Sequence, residues 1–389
     1  MSFAPGVYLE EIPRVPSAPL GTGIPAFLGV QGISDVVRLE IFHDLSLTGF
    51  DDATRFAVRG FFANGGRRCY LVPSEPGGGF NGTIDRLDPF EEIDLVCAPG
   101  LVALYPTARG LAGAQANLVA SAARSGRLFA ILDTLADATQ LEAHRTSLRR
   151  LLEASRVSSF AALYFPWIKV QGACATCAGT GLGASGRTCS TCSGSTLGAV
   201  PPSGHLAGIY ARTDHRVGVF GAPANTVVAG AVDLSSRITS AESADLDDAG
   251  INGLRSFPGR GIRVWGARTL SRDPSYRYIN VRRLMITLAR WIEHATLDLV
   301  FEPQSPLLWL RLGRQMSSLL QALFERGALV GKTPLEAYYV KCDEETNPPD
   351  VRARGQVVAE IGVAPARPGE FIRLSVIQGE RGVTTTERG

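Results

Sequence analysis

Four of the seven cysteines lie together, as Cys174-Ala-Thr-Cys177 and Cys189-Ser-Thr-Cys192, two C-x2-C pairs separated by eleven residues. Each pair can turn its two sulfurs to adjacent corners of one tetrahedron, and the spacer lets the two knuckles face each other. Four thiolates are a soft donor set that suits Zn2+, an ion without redox chemistry of its own. They leave no open coordination position, so the chemistry implied is structural zinc binding and not zinc catalysis. Gly179, Gly181 and Gly194 follow the pairs, where backbone N–H groups must turn toward sulfur and a Cβ would obstruct them. A redox-active pair is the sharper alternative, but that chemistry expects a single C-x-x-C where a strand meets a helix. In a reducing cytoplasm, such a cluster favours a metal over a disulfide framework. The surrounding stretch, Gln171 to Val200, is rich in Gly, Ser and Thr. It reads as a four-cysteine zinc-binding insertion over 171–200, a zinc knuckle whose folding free energy comes from the metal.

No other constellation points to catalysis. Gly181-Leu-Gly183-Ala-Ser-Gly186 matches G-x-G-x-x-G, but a dinucleotide fingerprint needs a strand before it and a helix after it. The five histidines show no metal-ligand spacing to one another. His215 beside Asp214 is the best acid–base pair, and a salt-bridged turn accounts for it more simply. His294 packs or caps on a helix. Neither a G-x-S-x-G elbow nor a P-loop occurs. Cys69, Cys97 and Cys342 are single and sit in apolar or strand-like surroundings, where inert buried thiols are expected. The chain reads as a non-enzyme.

The elements that must position the insertion alternate in type. Ala26–Val30, Cys69–Val72, Ile93–Cys97, Leu128–Leu132 and Ala161–Phe165 are apolar runs bounded by Gly, Pro or Asp, the pattern of buried strands. Between them, Asp51–Asn64, Ala114–Ser125 and Leu141–Leu152 carry helical spacing. Such alternation predicts an α/β domain over 24–256. After the turn signals Phe257–Gly261, two long amphipathic helices follow, Tyr278–Leu299 and Pro306–Arg326. Strands are then expected at Ala337–Val340, Val357–Val363 and Phe371–Ile377. This second part reads as an α+β domain over 257–365, two long helices plus a β-sheet, with 366–389 a terminal strand and a frayed tail. The first 23 residues carry four prolines and three glycines around Val7-Tyr8-Leu9-Glu10-Glu11-Ile12, an extended arm that must pair with something else.

With 39 basic and 37 acidic residues the net charge is +2, so nothing calls for a nucleic-acid partner. No apolar run approaches the roughly 20 residues of a membrane-spanning helix. The first residues lack the basic and apolar regions of a signal peptide, so synthesis and folding in the cytoplasm are expected, with any release by lysis or another unconventional route.

Several strings, in order, resemble one family, the contractile tail sheath proteins of phages and related bacterial injection systems. They include Pro5-Gly6-Val7-Tyr8-Leu9-Glu10-Glu11, Arg59-Gly60-Phe61-Phe62-Ala63-Asn64-Gly65-Gly66 and Pro202-Ser203-Gly204-His205. The densest stretch runs from Gly250-Ile251-Asn252 through Val264-Trp265-Gly266-Ala267-Arg268 to Tyr278-Ile279-Asn280-Val281-Arg282-Arg283-Leu284. The cysteine insertion departs from the pattern, falling where many relatives have a short loop. Within it, Cys174-x-x-Cys177-x-Gly179-x-Gly181 is similar to the cysteine-rich repeat of J-domain chaperones, which implies zinc-binding geometry and no chaperone activity.

The sheath resemblance implies a homo-oligomeric polymer of stacked hexameric rings around an inner tube protein, joined to baseplate and terminal cap proteins, without direct membrane insertion. It implies that 24–256 is the outer and 257–365 the inner domain, and that Val7, Tyr8, Leu9 and Ile12, and Phe371, Ile372, Leu374 and Val376, form arms that add strands to the inner-domain sheet of neighbouring subunits. It offers Arg282, Arg283, Arg290, Arg311 and Arg314 for contact with the inner tube. A zinc-stabilised adaptor module without contractile function is the competing reading.

Overall fold

The computed structural model describes residues 20–40, 50–73, 80–174, 176–183, 186–299, 302–366, 372–379 and 382–388, the last two stretches as backbone only. The apolar runs become strands β1 (Pro25–Val30), β2 (Val37–Leu39), β3 (Cys69–Pro73), β4 (Leu95–Cys97), β5 (Phe129–Asp133) and β6 (Ala161–Phe165). Three short strands, β7 (Ile168–Val170), β8 (Gly198–Val200) and β9 (Ala231–Leu234), form a small separate sheet in the order β8-β7-β9. Strands β10 (Ile251–Phe257) and β11 (Gly261–Trp265) complete the main sheet, ordered β11-β10-β6-β5-β4-β1-β3-β2. Its neighbours are parallel except at the two edges, β2 and β11, which are antiparallel.

Successive strand side chains point to opposite faces, so both faces of a run such as Phe129-Ala-Ile-Leu are apolar and both must be covered. On one face Phe27, Leu71, Phe129 and Ile131 pack with Phe56 and Phe61 of α1 (Asp52–Ala63) and with Leu206 and Tyr210 further along the chain. On the other, Leu28, Val72, Ala130 and Leu132 meet a second set of helices. After the short α2 (Asn81–Asp85) and α3 (Leu101–Leu104), these are α4 (Ala108–Ser125), with Leu111 and Leu118, and α5 (Leu141–Ala154), with Leu148 and Leu152. Leu206 and Tyr210 belong to α6 (Ser203–Arg216), which crosses α1 at close range. A Cβ on Gly204 would stand 2.3 Å from the Ala57 Cα, and one on Gly208 2.3 Å from the Phe61 carbonyl oxygen. Gly204 and Gly208 of α6 are therefore steric requirements of a helix crossing.

The turn Phe257–Gly261 is a hairpin inside the main sheet, pairing Phe257 with Gly261 and Gly253 with Trp265. The expected boundary at 256/257 is thus misplaced, because the edge strand β11 is held by β10 and continues the outer layer to Trp265. Gly and Pro mark a turn but not what the turn connects. The helix α7 (Ser240–Asp248), closed by a capping box of Thr239 and Glu242, precedes β10.

The C-terminal part of the chain holds α8 (Ile279–Thr296) and α9 (Pro306–Glu325), the latter capped by the Ser305 hydroxyl with Pro306 in its first turn. Beyond α10 (Pro334–Ala337) come β12 (Tyr338–Lys341), α11 (Pro349–Ala353) and β13 (Val357–Val363). Val357, Ala359, Ile361 and Val363, alternate residues of β13, close a core with Leu284, Leu288, Leu312, Met316 and Leu320 of the two helices. The sheet continues through β14 (Ile372–Gly379) and β15 (Gly382–Arg388) in the order β12-β13-β14-β15. The tail expected to fray is therefore a strand, because β14 gives it a ladder to complete. Phe371 and the arm residues Val7, Tyr8, Leu9 and Ile12 lie outside the described residues.

Candidate metal centre and domain junction

The insertion leaves the small sheet from the end of β7 and returns into β8, and these two strands pair antiparallel, Val170 with Gly198 and Ile168 with Val200. Its ends are therefore held side by side, and the final three residues of the expected 171–200 span belong to the sheet. All four cysteines are buried and free of disulfides. Their sulfurs lie within 4.8 Å of one another, with Cys174 to Cys189 at 3.9 Å and Cys177 to Cys192 at 3.7 Å. A tetrahedron of Zn–S bonds of about 2.3 Å has edges of about 3.8 Å, so these two sulfur pairs match its edges and the donor set is compatible with a metal of that size.

The two knuckles are one unit used twice, fifteen residues apart. Ala178 and Ser193 after each second cysteine both adopt left-handed backbone (φ 47° and 49°), followed by Gly179 and Gly194 (φ 79° and 78°). This turn brings the Thr180 and Ser195 amides back onto the Cys177 and Cys192 carbonyls, at 2.9 Å each. The Gly181 amide donates to Cys177 Sγ at 3.3 Å, and the Thr176 and Thr191 hydroxyls meet between the knuckles at 2.8 Å. Burial opposes ionisation of Cys177, yet the Gly181 amide and the neighbouring sulfurs bring its thiol down to about 6. Gly183 and Gly186 form a tight loop closed by Gly183 N–H to Arg187 O, which disposes of the nucleotide-like string as a turn.

A second buried polar site is assembled from distant residues. Arg283 of α8 donates to Asp94 Oδ2 (2.7 Å) at the head of β4 and to Asp214 Oδ1 and Oδ2 (2.8 and 2.6 Å) near the end of α6. All three side chains are 3% exposed or less, and the Tyr210 ring lies 5.0 Å from the guanidinium carbon. Asp94 also accepts from the Gly23 and Ile24 amides, tying in the start of the described chain. Burial works against the charge of Arg283, but the two carboxylates more than offset it and hold its pKa above the ordinary value. Burial pushes the Asp214 carboxyl up, against the pull of Arg283. The node bolts α8 onto the main sheet and its covering helix α6.

Three arginines expected at an inner-tube surface are therefore misassigned. Arg283 is consumed by this node, Arg282 lies 3.6 Å above the Phe160 ring and 4.8 Å from Tyr276, and Arg290 donates to the Glu91 carbonyl. All three are buried, because the face of α8 that carries them packs on the domain built around the main sheet. Arg311, paired with Glu302 at 3.0 Å, and Arg314 remain on the exposed face of α9, beside exposed Leu307 and Leu310. Asp214 and His215 sit in a helix and not in a turn; the salt bridge belongs to Asp214, and His215 Nε2 accepts from Arg67 at 2.7 Å. His144 and His205 are pushed down to about 4, chiefly by burial, as packing residues are.

The C-terminal ends of parallel strands are where α/β sheets usually bind ligands. Here α6 starts on that spot: the Ser203 amide donates to Asp133 Oδ1 at 2.9 Å, at the end of β5, and the Ser203 carbonyl faces Cys97 Sγ at the end of β4. Burial pushes the Asp133 carboxyl up to about 7, against the Ser203 hydrogen bonds. Burial also raises the thiols of Cys69 and Cys97, and lifts Cys342 to about 11. Sequence reasoning missed Asp94 and Asp133; the signal was an acid inside or ending an apolar strand run, which a buried partner must answer.

Two family models match consecutive stretches, the phage tail sheath protein central domain over residues 91–270 and the phage tail sheath C-terminal domain over 271–378. The tail sheath protein of Vibrio phage KVP40 is 29% identical over 182 residues, 46% of this chain and 26% of the relative. That of Salmonella phage ViI is 29% identical over 174 residues, again 26% of the relative, so the match spans about a quarter of the curated relatives' length. A chain of the anti-feeding prophage baseplate is 30% identical with a TM-score of 0.70, over 96% of this chain and 98% of that one. The sheath complex of the extracellular contractile injection system PVC, in its contracted state, is 28% identical with a TM-score of 0.71, over 96% of both chains. The sheath tail protein of Desulfitobacterium hafniense shares the fold at 11% identity and a TM-score of 0.59.

Proposed function

The chain belongs to the contractile tail sheath family, a subunit of a phage tail or injection-system sheath, and on that premise we propose how it works. Copies stack as hexameric rings in a helix around an inner tube, and contraction drives the tube through a target membrane. The observation that carries this is the end-to-end likeness, over both domains, to subunits of contracted sheaths. Assembly takes place in the bacterial cytoplasm, with an inner tube protein, a baseplate and a terminal cap as partners.

The subunits are linked by strand exchange. The edge of β13 that accepts β14 presents an unbroken ladder from Val357 to Val363, and main-chain bonds are indifferent to which copy supplies the strand. Ile372, Leu374 and Val376, with Phe371, and Val7, Tyr8, Leu9 and Ile12 at the other end, are the exchanged arms. Such head-to-tail contacts propagate and do not close. The extended sheath is a metastable lattice, and contraction repacks rigid subunits about flexible arms. The Arg283 node supports that rigidity, since it fixes the inner helices to the outer domain. Arg311 and Arg314 on the outer face of α9 supply the tube contact.

The island holds Zn2+ through Cys174, Cys177, Cys189 and Cys192; when bound, the ion supplies the cross-link that a glycine-rich excursion without an apolar core lacks. Deleting residues 1–12 tests the polymer: electron microscopy should show soluble particles and no long sheaths. Intact sheaths from the truncated protein would remove the arms from the mechanism.

A further inference from the structure

The four thiols are set in register across the two knuckles, each first cysteine against the other first and each second against the other second. Cys174 faces Cys189 at 3.9 Å and Cys177 faces Cys192 at 3.7 Å. The pairs differ in access: Cys177 and Cys192 are 6% and 7% exposed, Cys174 and Cys189 2% and 1%. Around them the fold already spans the knuckles, through the Thr176–Thr191 hydroxyl contact and the Cys189 amide bonded to the Gly181 carbonyl at 2.9 Å. A bond made between knuckles preserves these contacts, whereas a bond made within each C-x2-C leaves the two halves unlinked.

We propose that the island is an oxidation site for hydroperoxides, in which Cys177 and Cys192 join first and Cys174 and Cys189 second, so that two cross-knuckle disulfides replace the metal. The release of metal rests on the zinc reading above; the pairing does not. In each step a cysteine sulfur attacks the O–O bond, forming S–O, and the displaced oxygen takes a proton and leaves as water or an alcohol. The partner sulfur then attacks the sulfenic sulfur; the S–S bond forms, S–O breaks, and the departing hydroxide takes a proton to leave as water. Two electrons pass from the thiolate pair to one hydroperoxide, and two hydroperoxides oxidise the whole site. The sulfurs need to close from 3.7 Å to about 2.05 Å, a shift small enough for the knuckles to keep their places. A subunit released from a reducing cytoplasm would thus exchange a metal clamp for a covalent one.

The test treats the full-length protein with graded hydrogen peroxide, reads zinc release with a chelating dye, and maps disulfides by mass spectrometry of non-reduced peptides. The expected result is one zinc released per chain in step with a Cys177–Cys192 linked peptide, followed at higher peroxide by Cys174–Cys189. Linkage of Cys174 to Cys177 or Cys189 to Cys192 would overturn the pairing, as would oxidation to sulfinic acid without any disulfide. Metal analysis before treatment separates the two readings. Protein free of zinc that still gives the cross-knuckle map sinks the metal and keeps the pairing; zinc-loaded protein with the wrong map does the reverse.

Discussion

The cysteine island and the Arg283 junction both bury groups that water would otherwise solvate, and they do so at opposite ranges along the chain. In the island each cysteine faces a partner sulfur fifteen residues away, the turn geometry is repeated, and among the described residues the buried cluster of the loop is the four cysteines alone. At the junction the partners are 69 and 189 residues away, and they meet inside the packed boundary between two domains. The first site can form or be lost by itself. The second exists only when the whole subunit has folded, and removing one charge leaves the others stranded in the core. Locality sets how far damage spreads.

Breaking the junction should have the largest effect. Arg283→Met leaves the Asp94 and Asp214 carboxylates without their cation, and loss of one partner of a buried pair costs about 3–5 kcal/mol. Urea unfolding should show that loss across the whole cooperative transition, and the triple replacement of Arg283, Asp94 and Asp214 by apolar residues should recover much of it. A change below about 1 kcal/mol, the size of a surface pair, would mean the node is solvated.

Asp133 sharpens the contrast because it is a buried acid held by the Ser203 amide, where the junction acids are held by a guanidinium. Its folded pKa of about 7 lies above the unfolded value, so the fold prefers the protonated form. The stabilisation it contributes is complete below the unfolded pKa of about 3.9 and is lost as pH rises to about 7, at up to about 1.4 kcal/mol per pH unit. Asp133→Asn keeps an acceptor for the Ser203 amide and should flatten that slope. Thermal unfolding of both proteins between pH 4 and 8 decides it, and parallel curves would show that Asp133 does not titrate in this window.

The smallest global effect is expected at the island. Cys174→Ser or metal removal should unfold the loop locally, with hydrogen exchange rising over residues 173–197 and the main unfolding free energy moving by less than about 1 kcal/mol. A loss comparable to Arg283→Met would show that the loop helps hold β7 and β8, and with them the outer domain.

Much of the architecture was legible in local pattern. The run Ala161–Phe165 is a strand at its expected limits, Val357–Val363 likewise, and the two inner helices lie within two or three residues of their expected ends. Those signals survive because one face of each element must be apolar whatever it packs against. The helix α6 escaped notice because its interior glycines, needed for the crossing with α1, read locally as a turn. The placement of β11 was misjudged for a related reason: hairpin and domain boundary use the same turn residues, and pairing across the sheet tells them apart.

What the amino-acid sequence determined unaided were features whose partners lie close along the chain: the four-thiol island, the alternation of strands and helices, and the apolar stripes of α8 and α9. Tertiary structure alone decided what the charges on those stripes do. Arg282, Arg283 and Arg290 share the helical spacing of a solvated face, and they became core residues because Phe160, Asp94, Asp214 and the Glu91 carbonyl arrive from elsewhere to receive them. A guanidinium is equally at home in water or against carboxylates and an aromatic ring, so its own sequence neighbourhood holds no record of which it will meet.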